Sequence, residues 1–205
     1  MMKKTFNIFI VLLLSVSIGY GQKKVEVDLC IYGASSAGVI AAYTAANAGK
    51  KVLIVDPANH LGGLSSGGLG MTDIGNKFVV TGLALDFYRK IGKHYGSFEQ
   101  WIFEPKVAQG IFQDYLDKAK VQVMMNHPLS EVTKENGNIT QIALNSEQGA
   151  TLVKAKIFMD CTYEGDLLAA AGVSYHVGRE DNSLYGETIN GVQLLDGHQF
   201  PTGID

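Results

Sequence analysis

Residues 25–56 read VEVDLCIYGASSAGVIAAYTAANAGKKVLIVD, and this stretch decides the fold. Val25–Tyr32 is an apolar-rich run that predicts a strand, Val39–Gly49 is rich in alanine and predicts a helix, and Lys51–Val55 predicts a second, buried strand. The small residues between the first strand and the helix predict a tight turn. The order therefore predicts a βαβ unit at the start of a parallel sheet.

The turn and the end of the second strand carry the chemistry of this unit. At Gly33–Gly38 the backbone N–H groups can approach a pyrophosphate, and the first turn of a helix over residues 36–49 adds unpaired N–H groups and a partial positive charge. Asp56 follows Gly33 by 23 residues and can accept hydrogen bonds from an adenosine ribose, although a plain strand-end cap is the alternative. We therefore predict a dinucleotide site that includes Gly33, Ser35, Ser36, Ala37, Gly38 and Asp56.

The turn departs from the usual Gly-x-Gly-x-x-Gly pattern, because Ser35 stands where the second glycine is expected. A serine is small enough to leave room for a phosphate, and its hydroxyl can itself donate a hydrogen bond. It also requires that residue 35 avoid the backbone angles that only glycine tolerates. We therefore expect ordinary angles at this position.

Residues 1–21 have the features of a cleavable export signal. Lys3 and Lys4 form a basic start, Ile8–Val16 is an apolar run, and Gly19–Gly21 has the small-x-small pattern of a cleavage site. The run is short for a bilayer span, so a membrane anchor is the less favoured alternative. The sequence predicts a periplasmic or secreted protein without a membrane segment after cleavage.

Charge and composition exclude several classes of function. Removing residues 1–21 takes away two of the 17 Lys and Arg residues and none of the 20 Asp and Glu residues, which leaves a net charge of −5. A nucleic-acid partner is not expected, since it would require a basic patch. The histidines and cysteines lack the spacing of a metal site, so none is predicted. Cys30 and Cys161 lie in apolar runs, which favours two reduced, buried thiols over a disulfide.

The apolar spacing in the rest of the chain predicts how the sheet continues. It indicates a helix over Phe78–Tyr95, a helix from Glu104–Pro105, a strand over Val121–Met125, ribbon strands over Leu129–Thr133, Ile139–Leu144 and Ala150–Lys154, a buried strand over Lys156–Cys161 and a helix over Gly165–Ala171. Asn136-Gly137 is typical of a hairpin turn. We predict an α/β fold with a doubly wound parallel sheet, in which an inserted antiparallel β-ribbon forms a crossover. Residues 57–70 form a long segment that is rich in glycine yet apolar, which indicates a functional loop.

Two further motifs accompany the glycine turn and Asp56. His60-Leu61-Gly62-Gly63 follows the acidic residue, and Asp160-Cys161-Thr162-Tyr163-Glu164-Gly165-Asp166 follows a predicted strand. Together with the order of elements from Val25 to about Val192, these motifs resemble the glutathione-reductase-like FAD-dependent oxidoreductases, and in particular the exported bacterial FAD-dependent oxidoreductase family. Cys161 and Tyr163-Glu164 depart from the family's usual third motif. The resemblance implies a Rossmann-like FAD-binding domain over residues 22–192, with FAD as cofactor.

The resemblance also implies further site residues. Gly62 and Gly63 would lie against the phosphate and sugar region of the flavin, a pair that nicotinamide-binding folds lack. The backbone of Leu129 would lie against the adenine, a role compatible with that of a core leucine. Thr162 is either an ordinary turn residue or a cofactor contact. For His60 a solvated loop position is favoured over one that reaches the flavin.

The function that the resemblance implies is transfer of a hydride or electron pair between a small organic substrate and FAD. A nicotinamide-linked dehydrogenase and a non-catalytic nucleotide-binding remnant are the alternatives. Catalytic residues are not identified, and the resemblance implies that most of them lie beyond residue 205. His176, Arg179 and Glu180 either line a substrate cavity or form a solvated face. Residues 193–205 supply no closing strand or helix, so we expect the start of a truncated downstream region, and therefore an N-terminal fragment that binds FAD weakly at best.

Overall fold

The computed structural model describes residues 23–187, which form one mixed sheet with helices. The strands are β1 (Lys23–Tyr32), β2 (Val52–Val55), β3 (Gln122–Met124), β4 (Leu129–Glu135), β5 (Asn138–Leu144) and β6 (Thr151–Asp160). The helices are α1 (Ser36–Asn47), α2 (Gly82–His94), α3 (Pro105–Ala119), α4 (Asp166–Ala170) and α5 (Asn182–Tyr185), with 3₁₀ turns at Gly63–Ser66 and Lys77–Val79. The predicted export signal (1–21) and downstream region (193–205) lie outside the described residues. Between residues 23 and 187, no helix is long and apolar enough to cross a membrane.

β1 lies inside the sheet, with parallel partners on both sides. Tyr32 at its end is opposite Val55 of β2 and opposite Asp160 of β6. The full order is β3-β2-β1-β6-β5-β4, and β2 pairs in parallel with β3. Because the carboxyl ends of parallel strands meet at one edge, the segments that follow β1, β2 and β6 lie side by side there. The predicted βαβ unit and parallel sheet are confirmed.

Helices α1 and α3 cover one face of the parallel strands. Ile31 and Ile54 of the sheet share a buried cluster with Val39 of α1 and with Phe112 and Leu116 of α3. α3 begins at Pro105, as predicted, since a proline fits the first helical position, where its missing N–H costs nothing.

α2 begins later than predicted, at Gly82 instead of Phe78. The Asn76 side chain accepts a hydrogen bond from the Phe78 N–H at 3.1 Å and caps a separate 3₁₀ turn. The Phe78 side chain is 84% exposed, so no core contact draws this segment into the helix. Beyond Gly82 the prediction is right, because Phe87 and Ile91 are both buried.

The second face of the sheet is covered by the β-ribbon and α4. Leu53 and Cys30 of the parallel strands share a buried cluster with Ile142 of β5, Val153 of β6 and Leu167 of α4. β4 and β5 form the predicted antiparallel hairpin, and Asn136 and Gly137 at its tip both have positive φ. The ribbon connects β3 to β6, which confirms the predicted crossover.

β6 is one continuous strand, whereas the sequence predicted two, over Ala150–Lys154 and Lys156–Cys161. Residues 151–154 pair with β5 on one side, while the strand pairs with β1 on the other side from Thr151 to Asp160. Ala155 itself pairs with Val27 of β1, so the strand does not break at this residue.

The predicted burial of the second half of β6 is wrong. Ile157 and Met159 are 61% and 38% exposed. The register with β1 places them opposite Leu29 and Ile31, on the face that the helices cover. The helix-side core is built on the neighbouring strands and includes neither Ile157 nor Met159, so this part of the face is left open.

The two cysteines are both free, as predicted. Cys30 is fully buried in β1, and burial raises the pKa of its thiol to about 12. Cys161 lies directly after β6 and is only half-buried, so the prediction of a buried thiol is wrong for this residue. Desolvation, with a smaller contribution from the Asp160 carboxylate, also raises the pKa of Cys161.

Thiol titration in denaturant without reductant should count two thiols. In the native protein Cys161 should react first and Cys30 only on unfolding, because the reagent must reach the sulfur and the thiolate is the nucleophile. Since both pKa values are raised, native labelling at pH 8 should be slower than that of a free cysteine. A Cys161→Ser variant should lose the first phase, and a count of zero thiols in wild type would contradict the expectation.

Candidate functional site

The turn between β1 and α1 is fixed by the side chain of Ser35. The backbone angles of Ser35 (φ −61°, ψ 172°) are ordinary, as expected for a serine that stands in place of a glycine. The Ser35 hydroxyl accepts a hydrogen bond from the Gly38 N–H at 3.3 Å and donates one to the Cys161 carbonyl at 2.7 Å. The hydroxyl therefore caps α1 and ties the turn to the segment that follows β6.

Gly33 and Gly38 are glycines because other backbone lies against them. Gly33 has φ +106°, and a Cβ there would lie 2.5 Å from the Cys161 carbonyl carbon and 2.6 Å from the Thr162 nitrogen. A Cβ at Gly38 would collide with the Gly33 carbonyl oxygen. From the sequence we expected these glycines to leave room for a phosphate. The structure shows that they also leave room for backbone, since Cys161 and Thr162 lie against Gly33.

Asp56 braces the glycine turn from the end of β2. One carboxylate oxygen accepts a hydrogen bond from the Ala34 N–H at 2.6 Å, and the other accepts one from the Ala58 N–H at 2.8 Å. The residue is half-buried at the carboxyl edge of the sheet. Because each carboxylate oxygen has two acceptor sites, the side chain can still receive a hydrogen bond from a ligand hydroxyl.

The paired glycines lie beside the first turn. The Gly62 N–H donates to the Ala34 carbonyl at 2.8 Å, and a Cβ at Gly62 would collide with the Phe112 ring. Gly63 has φ +54° and lies under the side chain of Tyr163, whose hydroxyl a Cβ would also meet. Both glycines thus permit close packing that no larger residue allows.

His60 belongs to the same loop. From the sequence we expected a solvated histidine, whereas the structure shows it half-buried. Its Nε2 lies 2.9 Å from the Ser66 hydroxyl. The same hydroxyl donates to the Leu61 carbonyl, so Ser66 connects His60 to the backbone of the loop. The imidazole therefore holds the loop in place.

The segment after β6 forms a turn that is held by the Asp160 side chain. The Asp160 carboxylate accepts hydrogen bonds from the Thr162 N–H at 2.9 Å, the Thr162 hydroxyl at 2.7 Å and the Leu168 N–H at 2.8 Å. The Thr162 hydroxyl in turn accepts from the N–H groups of Gly165 and Asp166. Asp160 thereby fixes the turn whose Cys161 and Thr162 backbone lies against Gly33.

These segments enclose a cavity of about 270 Å³ at the carboxyl edge of the sheet. Five of the ten predicted site residues line it: Gly33, Ser35, Asp56, Gly63 and Thr162. Sequence reasoning missed the side chain of Tyr163, which lies over the cavity; the signal available was its position inside the third motif. His60 and Glu164 also line the cavity.

The other five predicted residues lie around this cavity but do not line it. Gly38 and Gly62 support its walls, as described above. Ser36 and Ala37 border a separate apolar cavity between α1 and α2. Leu129 is further along the sheet edge, where its N–H donates to the Tyr32 hydroxyl at 2.9 Å.

The electrostatics of the cavity come from carboxylates and backbone dipoles. Asp56, Glu164 and Asp166 line it, and among the described residues no Lys or Arg does. At the start of α1, the N–H groups of Ser36 and Ala37 have no acceptor among the described hydrogen bonds. An anion near the turn would therefore be stabilised by these N–H groups and by the helix dipole.

The three charged residues after the third motif do not come together in one site. His176 borders a second cavity of about 610 Å³, which shares Thr162, Tyr163 and Glu164 with the first. Arg179 and Glu180 do not line either cavity. Of the three, only His176 is placed where it can face a ligand.

One protein family has a sequence model that matches this chain. The model of the "FAD dependent oxidoreductase" family matches residues 28–202. No curated protein sequence matches the chain.

Solved structures share the fold at low sequence identity. A geranylgeranyl bacteriochlorophyll reductase-like protein from Thermoplasma acidophilum has a TM-score of 0.57 at 20% identity, over 77% of this chain and 45% of its own. L-proline dehydrogenase from P. horikoshii has a TM-score of 0.55 at 13% identity, over 78% of this chain and 59% of its own. A myxobacterial chondrochloren halogenase, described as FAD-dependent, has a TM-score of 0.53 at 12% identity, over 67% of this chain and 37% of its own. The chain thus spans less than half the length of the first of these and under two thirds of the second.

Proposed function

This chain belongs to the FAD-dependent oxidoreductase family and has FAD as its cofactor, and from this premise we propose that the cavity at the carboxyl edge of the sheet holds the ADP half of FAD. The observation that carries the proposal is the N-terminus of α1 beside Gly33 and Ser35, where the N–H groups of Ser36 and Ala37 have no acceptor in the part of the chain that the structure describes. A pyrophosphate is the part of FAD that such donors fit.

The cavity walls support this assignment without a cationic side chain. Three carboxylates line the cavity, so a bound pyrophosphate must be stabilised by backbone N–H groups and the α1 dipole. Gly33 and Gly63 keep side-chain atoms away from the turn and the neighbouring loop. At about 270 Å³ the cavity is the place where we put the ADP half, not the whole of FAD.

In this proposal Asp56 receives the adenosine ribose. Its oxygens already accept the Ala34 and Ala58 N–H groups, which fixes the carboxylate plane. The remaining acceptor sites are available to the two ribose hydroxyls. Gly62, Gly63 and Thr162 would complete the wall, and Leu129 would contribute backbone near the adenine.

The proposed activity is transfer of a hydride or an electron pair to or from a small organic substrate. When bound, FAD supplies the redox chemistry, and the residues of the chain bind and orient it. His176 and Glu164, in the neighbouring cavity that shares Tyr163, are the side chains best placed to meet a substrate. The cavity that takes up the ADP half accommodates NAD equally well on geometry alone; family membership favours FAD.

We also propose that the protein is exported. The support is the sequence of residues 1–21, with two lysines, an apolar run and a small-x-small cleavage pattern. Signal cleavage after Gly21 would leave Gln22 as the first residue of the mature protein, directly before β1. The N-terminal sequence of the protein recovered outside the cytoplasm tests this.

FAD binding tests the proposed function. Titration of purified protein with FAD should change the flavin absorbance bands saturably, and ADP should compete for the same site. NAD should not displace FAD. Tighter binding of NAD than of FAD would favour a nicotinamide-linked enzyme, and a protein that binds none of these nucleotides would overturn the proposal.

A further inference from the structure

Tyr163 connects two loops that line the cavity from opposite sides. Its hydroxyl accepts a hydrogen bond from the Leu64 N–H at 2.7 Å, across 99 residues of chain. Its ring lies over Gly63, where a Cβ would come within 3.0 Å of two ring carbons. The contact is therefore specific at both the hydroxyl and the ring.

No other hydrogen bond in the described part of the chain joins residues 60–66 to residues 161–166. Each side is fixed separately. The turn after β6 is held by Asp160, and the glycine loop is held by Ser66 and by the Gly62 N–H. Both segments are also bound to the first turn, through the Gly62 N–H and the Ser35 hydroxyl, and Tyr163 adds the direct link between them.

The Tyr163 side chain is also an exposed part of this wall. The turn that carries it is fixed by three hydrogen bonds to Asp160, whereas the Tyr163 side chain is 57% exposed. It borders both the cavity of about 270 Å³ and the cavity of about 610 Å³. A rotation of this one side chain would join the two spaces without changing the backbone.

We propose that Tyr163 is a positioning residue for FAD: its phenol clamps the Gly63–Leu64 loop to the turn after β6 and so sets the width of the cofactor cavity. The inference rests on the proposed function of that cavity. It goes beyond it by assigning to a half-exposed tyrosine the control of cofactor affinity. The glycine at position 63 is then required by the tyrosine ring as well as by its own φ of +54°.

The test compares Tyr163→Phe, Tyr163→Ala and wild type. Tyr163→Phe removes only the acceptor for the Leu64 N–H and should weaken FAD binding by about three- to tenfold. Tyr163→Ala also removes the ring and should weaken it by more than about tenfold. In both variants the Leu64 amide should exchange hydrogen faster in the FAD-free protein. The Tm of each variant should stay at the wild-type value.

Tyr185→Phe is the matched control, because Tyr185 is 70% exposed on α5 and should change neither quantity. The outcomes separate the two proposals. If wild type binds FAD and Tyr163→Phe and Tyr163→Ala bind it equally well, the clamp is overturned and the proposed function stands. If wild type binds no FAD, both are overturned. A lower Tm in Tyr163→Phe, with unchanged FAD affinity, would make Tyr163 an ordinary structural residue.

Discussion

Replacing Gly33 with alanine is expected to abolish FAD retention and to lower the free energy of unfolding by roughly 2–4 kcal/mol. Two costs add at this position. Alanine would be strained at φ +106°, and its Cβ would lie 2.5 Å from the Cys161 carbonyl carbon. The atoms in the way are backbone, so no side-chain rotation relieves the clash. The first turn must then move away from the end of β6, which opens the cavity.

Gly49→Ala is the control that separates strain from collision. Gly49 has φ +78°, and a Cβ there meets no atom within 4 Å. This variant should lose roughly 1 kcal/mol and retain FAD. Urea unfolding and the flavin content after gel filtration measure both effects. A Gly33→Ala protein with the wild-type urea midpoint and full flavin content would contradict the packing described for this turn.

Replacing Asp56 with alanine is expected to have the next largest effect. The change removes the acceptors of the Ala34 and Ala58 N–H groups. The part-buried Ala34 donor left unpaired costs roughly 1–3 kcal/mol, whereas water can replace the acceptor of the exposed Ala58 N–H. FAD affinity should fall by a similar 1–3 kcal/mol, because the ribose hydroxyls lose their acceptor. Isothermal titration well below the Tm measures affinity without interference from unfolding. Asp56→Asn keeps one carbonyl oxygen and should fall between wild type and alanine.

Asp28→Ala is the matched control for Asp56. Asp28 also accepts a backbone hydrogen bond, from the Lys51 N–H at 2.9 Å, and pairs with Lys156 at 2.6 Å, but it does not line the cavity. The Lys156 ammonium and the Lys51 N–H hold the pKa of this carboxyl below its ordinary value. Its variant should lose stability above the ordinary Asp pKa and keep FAD affinity. Equal FAD affinity in wild type and Asp56→Ala would refute the ribose role of Asp56.

The sequence by itself determined the parts of the fold that depend on local patterns. Apolar-rich runs identified β1 and β2, and apolar spacing identified α2 and α3, in which Phe87, Ile91 and Val107 are buried. The order of these elements, with the Asn136-Gly137 turn, predicted a ribbon crossover. The same local motifs, together with their spacing, indicated the FAD-dependent oxidoreductase family. Each of these features is decided by residues that are near one another in the chain.

The tertiary structure decided which groups in the site are already engaged. Ser35 donates to Cys161, 126 residues away, and Tyr163 reaches Leu64 across 99 residues. The continuity of β6 likewise depends on β1, a partner far away in sequence. A local pattern cannot encode such pairings, because they arise only when the parallel strands bring the ends of β1, β2 and β6 to one edge. The sequence therefore predicted candidate residues for the site, of which five line the cavity, and the packing of distant segments determined what each of them contacts.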